Sequence, residues 1–220
     1  MNEWTPAVRR LGGGCALSVA VLDLAYVLTG VAWLASGGLR SPEPLQPAEP
    51  YLTILETLLF FSVPPLVVVA AAAHAYAPST KRAGALASLA FMTAFAVVTC
   101  GVHATRLIVV RQLPASDSID LDVLRLYPWP SVLLAVDLLA WDFFLGLALL
   151  LLAPTVSRGS GRLETVARRG LTLAGGLCLV GFVGPLTGEM RVQYLAIAGY
   201  AFVLPASCAV LARVFARATG

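Results

Sequence analysis

The chain has 220 residues, 59% hydrophobic and only 12% charged, with a mean hydropathy of +0.84 and a formal net charge of +3. Soluble domains carry about 25% charged and about 45–50% apolar residues, so this composition excludes an ordinary globular domain. It excludes a disordered chain as well, and a net charge of +3 that is not gathered into a basic patch excludes a nucleic-acid binder.

A membrane-crossing helix needs about 20 mostly apolar residues. Six such runs, residues 11–35, 52–76, 83–110, 131–153, 169–186 and 192–215, predict an all-α, polytopic bundle of six transmembrane helices. With no internal repeat or low-complexity tail, residues 1–220 read as a single transmembrane domain, its surface partner the lipid bilayer. The first run is longer than a signal-peptide core and lacks a small-residue cleavage site, so it reads as a span. Pro42, Pro44, Pro47 and Pro50 fill the first connection, and Pro64–Pro65 should bend the second span and free backbone carbonyls. Pro78 follows that span, and Pro128–Trp129–Pro130 precedes the fourth. Tyr51, Tyr76, Tyr127 and Trp129 stand at span ends, the headgroup level where aromatic rings gather.

Alternating the connections puts Arg9, Arg10, Lys81, Arg82, Arg158, Arg162, Arg168, Arg169, Arg213 and Arg217 on one side. Arg40, Arg106, Arg111, Arg125 and Arg191 fall on the other. That bias predicts a multi-pass protein of the cell membrane with both termini cytoplasmic. Cys15, Cys100, Cys178 and Cys208 each lie in an apolar stretch without CxxC spacing and read as small hydrophobes.

Ionisable residues within spans carry the functional information, because each costs about 2.5–3.5 kcal/mol near the bilayer centre. They are Asp23 in span one, Glu56 in span two, His103 and Arg106 in span three, and Asp137 and Asp142 in span four. At about 1.5 Å rise per residue, all lie within about 20 Å of the predicted outer end, Glu56 the shallowest and Asp23 the deepest. Glu189, Arg191, Gln193 and Tyr194 in the last connection add polar groups at that end. The pattern predicts polar groups from all six helices converging on a cavity in one half of the membrane. His103 and Arg106, three apart, share a face, as do Asp23 with Tyr26 and Asp137 with Trp141. Asp137 and Asp142, five apart, are separated by about 140° on an α-helix and need not share one chamber. Arg106 is the natural partner of Glu56 or Asp137. Each of these residues also has a structural reading, as helix-pairing glue or a satisfied core group, and the loop acids Asp117, Asp120 and Asp122 read as solvated surface.

Several chemistries are absent from the sequence. His74 and His103 fall near opposite ends, so they cannot ligate one haem, and two histidines cannot make a three-His zinc centre. There is no HExxH, P-loop or GxGxxG motif. No metal site and no cofactor is expected. Acid–base chemistry or ion handling by carboxylates remains.

A chain of this length, nearly all membrane helix, with Glu56 early in span two (Tyr51-Leu-Thr-Ile-Leu-Glu56) and Trp141-Asp142 in a later span, resembles the small integral-membrane terpene cyclases. These act in fungal meroterpenoid and bacterial drimentine-type indole terpenoid biosynthesis. The resemblance implies class II, metal-independent cyclisation of a prenylated, farnesyl-type substrate: a proton is added to an alkene or epoxide, rings close through carbocations, and a proton is lost. It points to Asp142 and Glu56 as acid and base, with Asp23 next. His103, Arg106 and Asp137 would stabilise the carboxylate left behind. Tyr26, Phe60, Trp141, Phe144 and Tyr194 would line the isoprenoid site, their ring faces stabilising developing positive charge. The chain departs from the fungal members, which have seven spans and a second acid near the C-terminal end, and from the DxDD motif of soluble class II cyclases. Two other functions use the same residues: a small proton-coupled transporter, and a non-catalytic lipid-binding protein or subunit of a membrane complex.

Overall fold

The computed structural model describes residues 4–37, 49–109, 129–156 and 161–217. Pro42, Pro44, Pro47, Tyr127 and Pro128 lie outside the described residues, as do the loop acids Asp117, Asp120 and Asp122 and the basic residues Arg40, Arg111, Arg125 and Arg158. Six apolar helices are long enough to cross a membrane: α1 (Pro6–Ala35), α2 (Tyr51–Tyr76), α3 (Ser79–Ile108), α4 (Val132–Thr155), α5 (Arg162–Thr187) and α6 (Tyr194–Arg217). The chain is a multi-pass, all-α membrane protein. Large apolar side chains such as Leu11, Leu17, Leu24 and Phe202 stand exposed on its flanks, as a lipid environment requires.

Consecutive helices run antiparallel and pack on their chain neighbours, and α6 closes back onto α1. The result is a ring of six helices with two distinct ends. At one end, Trp4 is buried between Tyr76 and Phe215, its ring centroid 4.9 Å and 5.2 Å from theirs, and the Tyr76 hydroxyl donates to Glu164. We call this the latch end. It joins the segment before α1 to the last turns of α2 and α6 and the first turn of α5. The other end, where α2, α4 and α6 begin, is the mouth.

Burial on each helix follows a stripe. On α1 the buried residues are Gly12, Ala16, Val19 and Asp23, a spacing of four, three and four that marks one side of a helix. Asp23 is thus the mouthward end of the stripe that faces the ring interior. On α3 the stripe runs through Ser88, Met92, Phe95, Thr99 and Val102 to His103 and Arg106. Polarity is concentrated at its mouthward end. Ser88 secures α3 to α4 by donating to the Ala148 carbonyl at 2.8 Å.

Helix ends and breaks follow from named residues. Thr5 caps α1 by accepting from the Val8 amide, with Pro6 in the first turn, where its missing N–H leaves no gap in the helix. Ser131 caps α4 in the same manner, accepting from Leu134 at 3.0 Å. Gly188, at φ +77, ends α5 in a left-handed turn. Pro64 leaves the Phe60 carbonyl without its helical donor, and the Cys100 thiol of α3 takes that place at 3.9 Å. Helices α4 and α5 approach so closely that a side chain at Gly175 would meet the Gly146 carbonyl at 2.8 Å.

Two stretches depart from α-helical phase. Leu139–Phe144 in α4 and Gly199–Val203 in α6 are π-helical turns. The second immediately precedes Pro205, whose ring cannot accept the Ala201 carbonyl in ordinary α-helical register, which accounts for the widening. The two wide turns meet through Trp141 and Tyr200, with centroids 4.8 Å apart. The wide turn in α4 begins two residues after Asp137 and contains Asp142, and both carboxyls are buried, Asp142 completely.

Candidate active site

Between the helices, towards the mouth, lies a cavity of about 280 Å³. That is near the lower limit of ligand pockets, about 300–1,000 Å³. Its wall is mostly apolar, built from Leu52, Leu55, Leu59, Leu134, Leu138 and Ile197, with aromatic surface from Tyr26, Trp129, Trp141, Tyr194 and Tyr200. Into this wall are set Asp23, Glu56, His103, Asp137 and Gln193.

The polar groups form two levels. At the mouth, the α3 stripe presents His103 and Arg106 to α2, and each takes one oxygen of Glu56. His103 Nδ1 lies 2.5 Å from Glu56 Oε2, and Arg106 Nη1 lies 3.3 Å from Glu56 Oε1. The three-residue spacing on α3 matches the two oxygens of one carboxylate on α2. The pairing expected for Arg106 is therefore present, with Glu56 as its partner. On the far side of the imidazole, His103 Nε2 faces Asp137 Oδ1 across 3.8 Å, and neither atom has a hydrogen-bond partner among the described residues. Trp141, one turn on from Asp137, lines the cavity beside it. Three helices thus align Glu56, His103 and Asp137, with the imidazole between two carboxyl groups. A shift of about 1 Å would bring the 3.8 Å gap into hydrogen-bond range.

The deeper level is Asp23. It sits twelve residues from the end of α1, about 18 Å in at 1.5 Å per residue, against about 8 Å for Glu56 from the start of α2. Ser62 of α2 stands beside it, its hydroxyl donating to the Leu59 carbonyl at 3.2 Å. Between the two levels the cavity is walled by the rings of Tyr26, Trp141 and Tyr200.

The structure brings together Asp23, Tyr26, Glu56, His103, Asp137, Trp141 and Tyr194 on one cavity wall. It places four other expected residues elsewhere. Asp142 is fully buried behind the wall, where it accepts from the Gln193 amide at 3.4 Å, and its Oδ2 has no partner among the described residues. Arg106 reaches the site only through Glu56. Phe60 packs on Phe61, and Phe144 stacks on Phe91, both away from the cavity. Nor do all six helices contribute, since the wall includes no described residue of α5, whose interior face is small residues packed on α4 and α6. Tyr200 had no distinguishing signal in an apolar span, and its place on the wall depends on the wide turn before Pro205. His74 and His103 lie at opposite ends of the ring, and among the described residues no three His, Cys, Asp or Glu side chains converge as metal ligands.

Comparison with known protein families, with curated proteins and with solved structures finds no match for this chain.

Proposed function

We propose that this chain is a membrane-embedded class II terpene cyclase, which isomerises a prenylated, farnesyl-type substrate by adding a proton at one end and removing one at the other. One observation carries the reading: carboxyl groups from three separate helices, Asp23, Glu56 and Asp137, open onto a single apolar, aromatic-walled cavity at two depths. A helix bundle that only had to cross a membrane would not place them there, since each costs about 2.5–3.5 kcal/mol.

The two depths suit a reaction that travels along a chain. An amphipathic substrate enters with its apolar tail inward and its polar head at the mouth. Asp23, in the most sheltered position, holds a proton as a carboxylic acid and delivers it to the terminal alkene, and the Ser62 hydroxyl turns from the Leu59 carbonyl to the carboxylate that forms. The tertiary carbocation closes onto the next alkene, and the faces of Tyr26, Trp141 and Tyr200 stabilise the positive charge as it moves towards the mouth. There the Glu56–His103–Asp137 line removes a proton from the carbon beside the final cation. The imidazole passes charge between two carboxyls, and Arg106 fixes Glu56. An alkene is regenerated, no atom is gained or lost, and the apolar wall keeps water from capturing the cation. Water at the mouth returns the proton to the acid between turnovers.

The test is incubation of the purified full chain in detergent micelles with prenylated indoles, prenylated phenols and farnesol, followed by mass spectrometry and NMR. The expected result is a cyclic product of unchanged mass, absent from an Asp23→Asn preparation. Substrates recovered without rearrangement would refute the reading.

A further inference from the structure

Asp142 has no part in the proton path just described, yet it is the most completely buried carboxyl of the site. An apolar side chain would fill that space without the cost of burying a polar group. Its one hydrogen bond among the described residues comes from Gln193 Nε2 to Oδ1 at 3.4 Å, joining the wide turn of α4 to the connection before α6. Gln193 itself is on the cavity wall. An amide has two ends. With the nitrogen engaged by Asp142, the carbonyl oxygen is the end left over for the cavity, and no described residue donates to it.

The other polar groups of the mouth stand against one another. Glu56 is occupied on both oxygens by His103 and Arg106, and Asp137 faces His103 on one side and Trp141 on the other. A diphosphate or carboxylate head would have to compete with Glu56 for the Arg106 guanidinium and would meet the carboxyl of Asp137 on the wall. A neutral head with an O–H or N–H would meet the Gln193 carbonyl.

We infer that Gln193 is the specificity-determining acceptor for a neutral, hydrogen-bond-donating head group, and that Asp142 is the positioning residue that turns its amide. The inference rests on the isoprenoid reading of the cavity and adds which head group the substrate carries.

Hexahydrofarnesol and its methyl ether test it, because both are saturated and offer no alkene to protonate, and only the alcohol can donate. Equilibrium binding of each to the purified full chain is expected to favour the alcohol by about tenfold, the effect of one hydrogen bond. Gln193→Leu should bring that ratio to about one. Asp142→Asn should reduce it several-fold with ether affinity unchanged, because an amide no longer dictates the orientation of its neighbour. The double variant Asp142→Asn/Gln193→Glu, in which the amide donates and a carboxylate accepts, should restore the preference, and it carries the test if the single variant does not fold. Equal affinities in the unmodified protein, or an unchanged ratio in Asp142→Asn, would overturn the inference and leave the isoprenoid cavity standing. Failure of both probes to bind would overturn the isoprenoid reading and this inference with it.

Discussion

The two ends of the ring are built on opposite principles. At the latch end, Trp4, Tyr76 and Phe215 interlock at centroid separations of 4.9, 5.2 and 5.9 Å, and the Tyr76 hydroxyl is satisfied by Glu164. Large rings in mutual contact are what stability alone would select. At the mouth, polar and ionisable side chains are buried with their hydrogen-bonding capacity only partly used: His103 Nε2, Asp137 Oδ1 and Asp142 Oδ2 have no partner among the described residues. Unused buried capacity is costly and persists where a task requires it. The latch end is filled by packed rings, and the mouth end holds the cavity.

Substitutions at the two ends should therefore fail in different ways. The largest effect should come from Asp23→Asn, which removes the proposed acid while keeping its shape. Turnover should fall by about 10²–10⁴-fold, the scale of one proton-transfer group, with the melting temperature in detergent nearly unchanged. An active Asp23→Asn protein would remove Asp23 from the mechanism. Next is the mouth ion pair. Arg106→Met leaves Glu56 without its guanidinium and should cost about 3–5 kcal/mol, whereas the double variant Glu56→Gln/Arg106→Met should recover most of that, as judged by chemical unfolding. Additive losses would mean the two residues are not coupled. At the latch, Trp4→Ala should cost about 3–5 kcal/mol by loss of buried ring contacts while leaving ligand affinity at the mouth intact. A loss of affinity there would show that the ends are not independent. The smallest effect should be that of Tyr76→Phe, which keeps the ring packing and removes one hydrogen bond to a carboxylate, about 1.5–3 kcal/mol by thermal unfolding.

The sequence revealed the mouth better than the latch, for a physical reason. Charged groups in apolar spans are conspicuous because insertion penalises them, so Asp23, Glu56, His103, Arg106 and Asp137 could be picked out by type and depth alone. The three-residue spacing of His103 and Arg106 also indicated that they share a helix face. Trp4, Tyr76 and Phe215 are ordinary apolar residues in an apolar chain, and only the closing of α6 onto α1 brings them together. Orientation around the helix was less accessible than depth. That Asp137 and Asp142 need not share one chamber is legible in their five-residue spacing, whereas the wide turn of α4 is not. The displacement of Asp142 behind the wall, and the arrival of Gln193 in front of it, depend on contacts between α4 and the last connection that no local pattern encodes.

The most direct measurement is to run the reaction with the purified protein in deuterated water and weigh the product. Protonation by an exchangeable carboxyl predicts a cyclic isomer heavier by one mass unit, with deuterium on the carbon at the tail end and none in recovered substrate. A cyclic product without deuterium, or deuterium at the head end only, would contradict a reaction that starts at Asp23 and ends at the mouth.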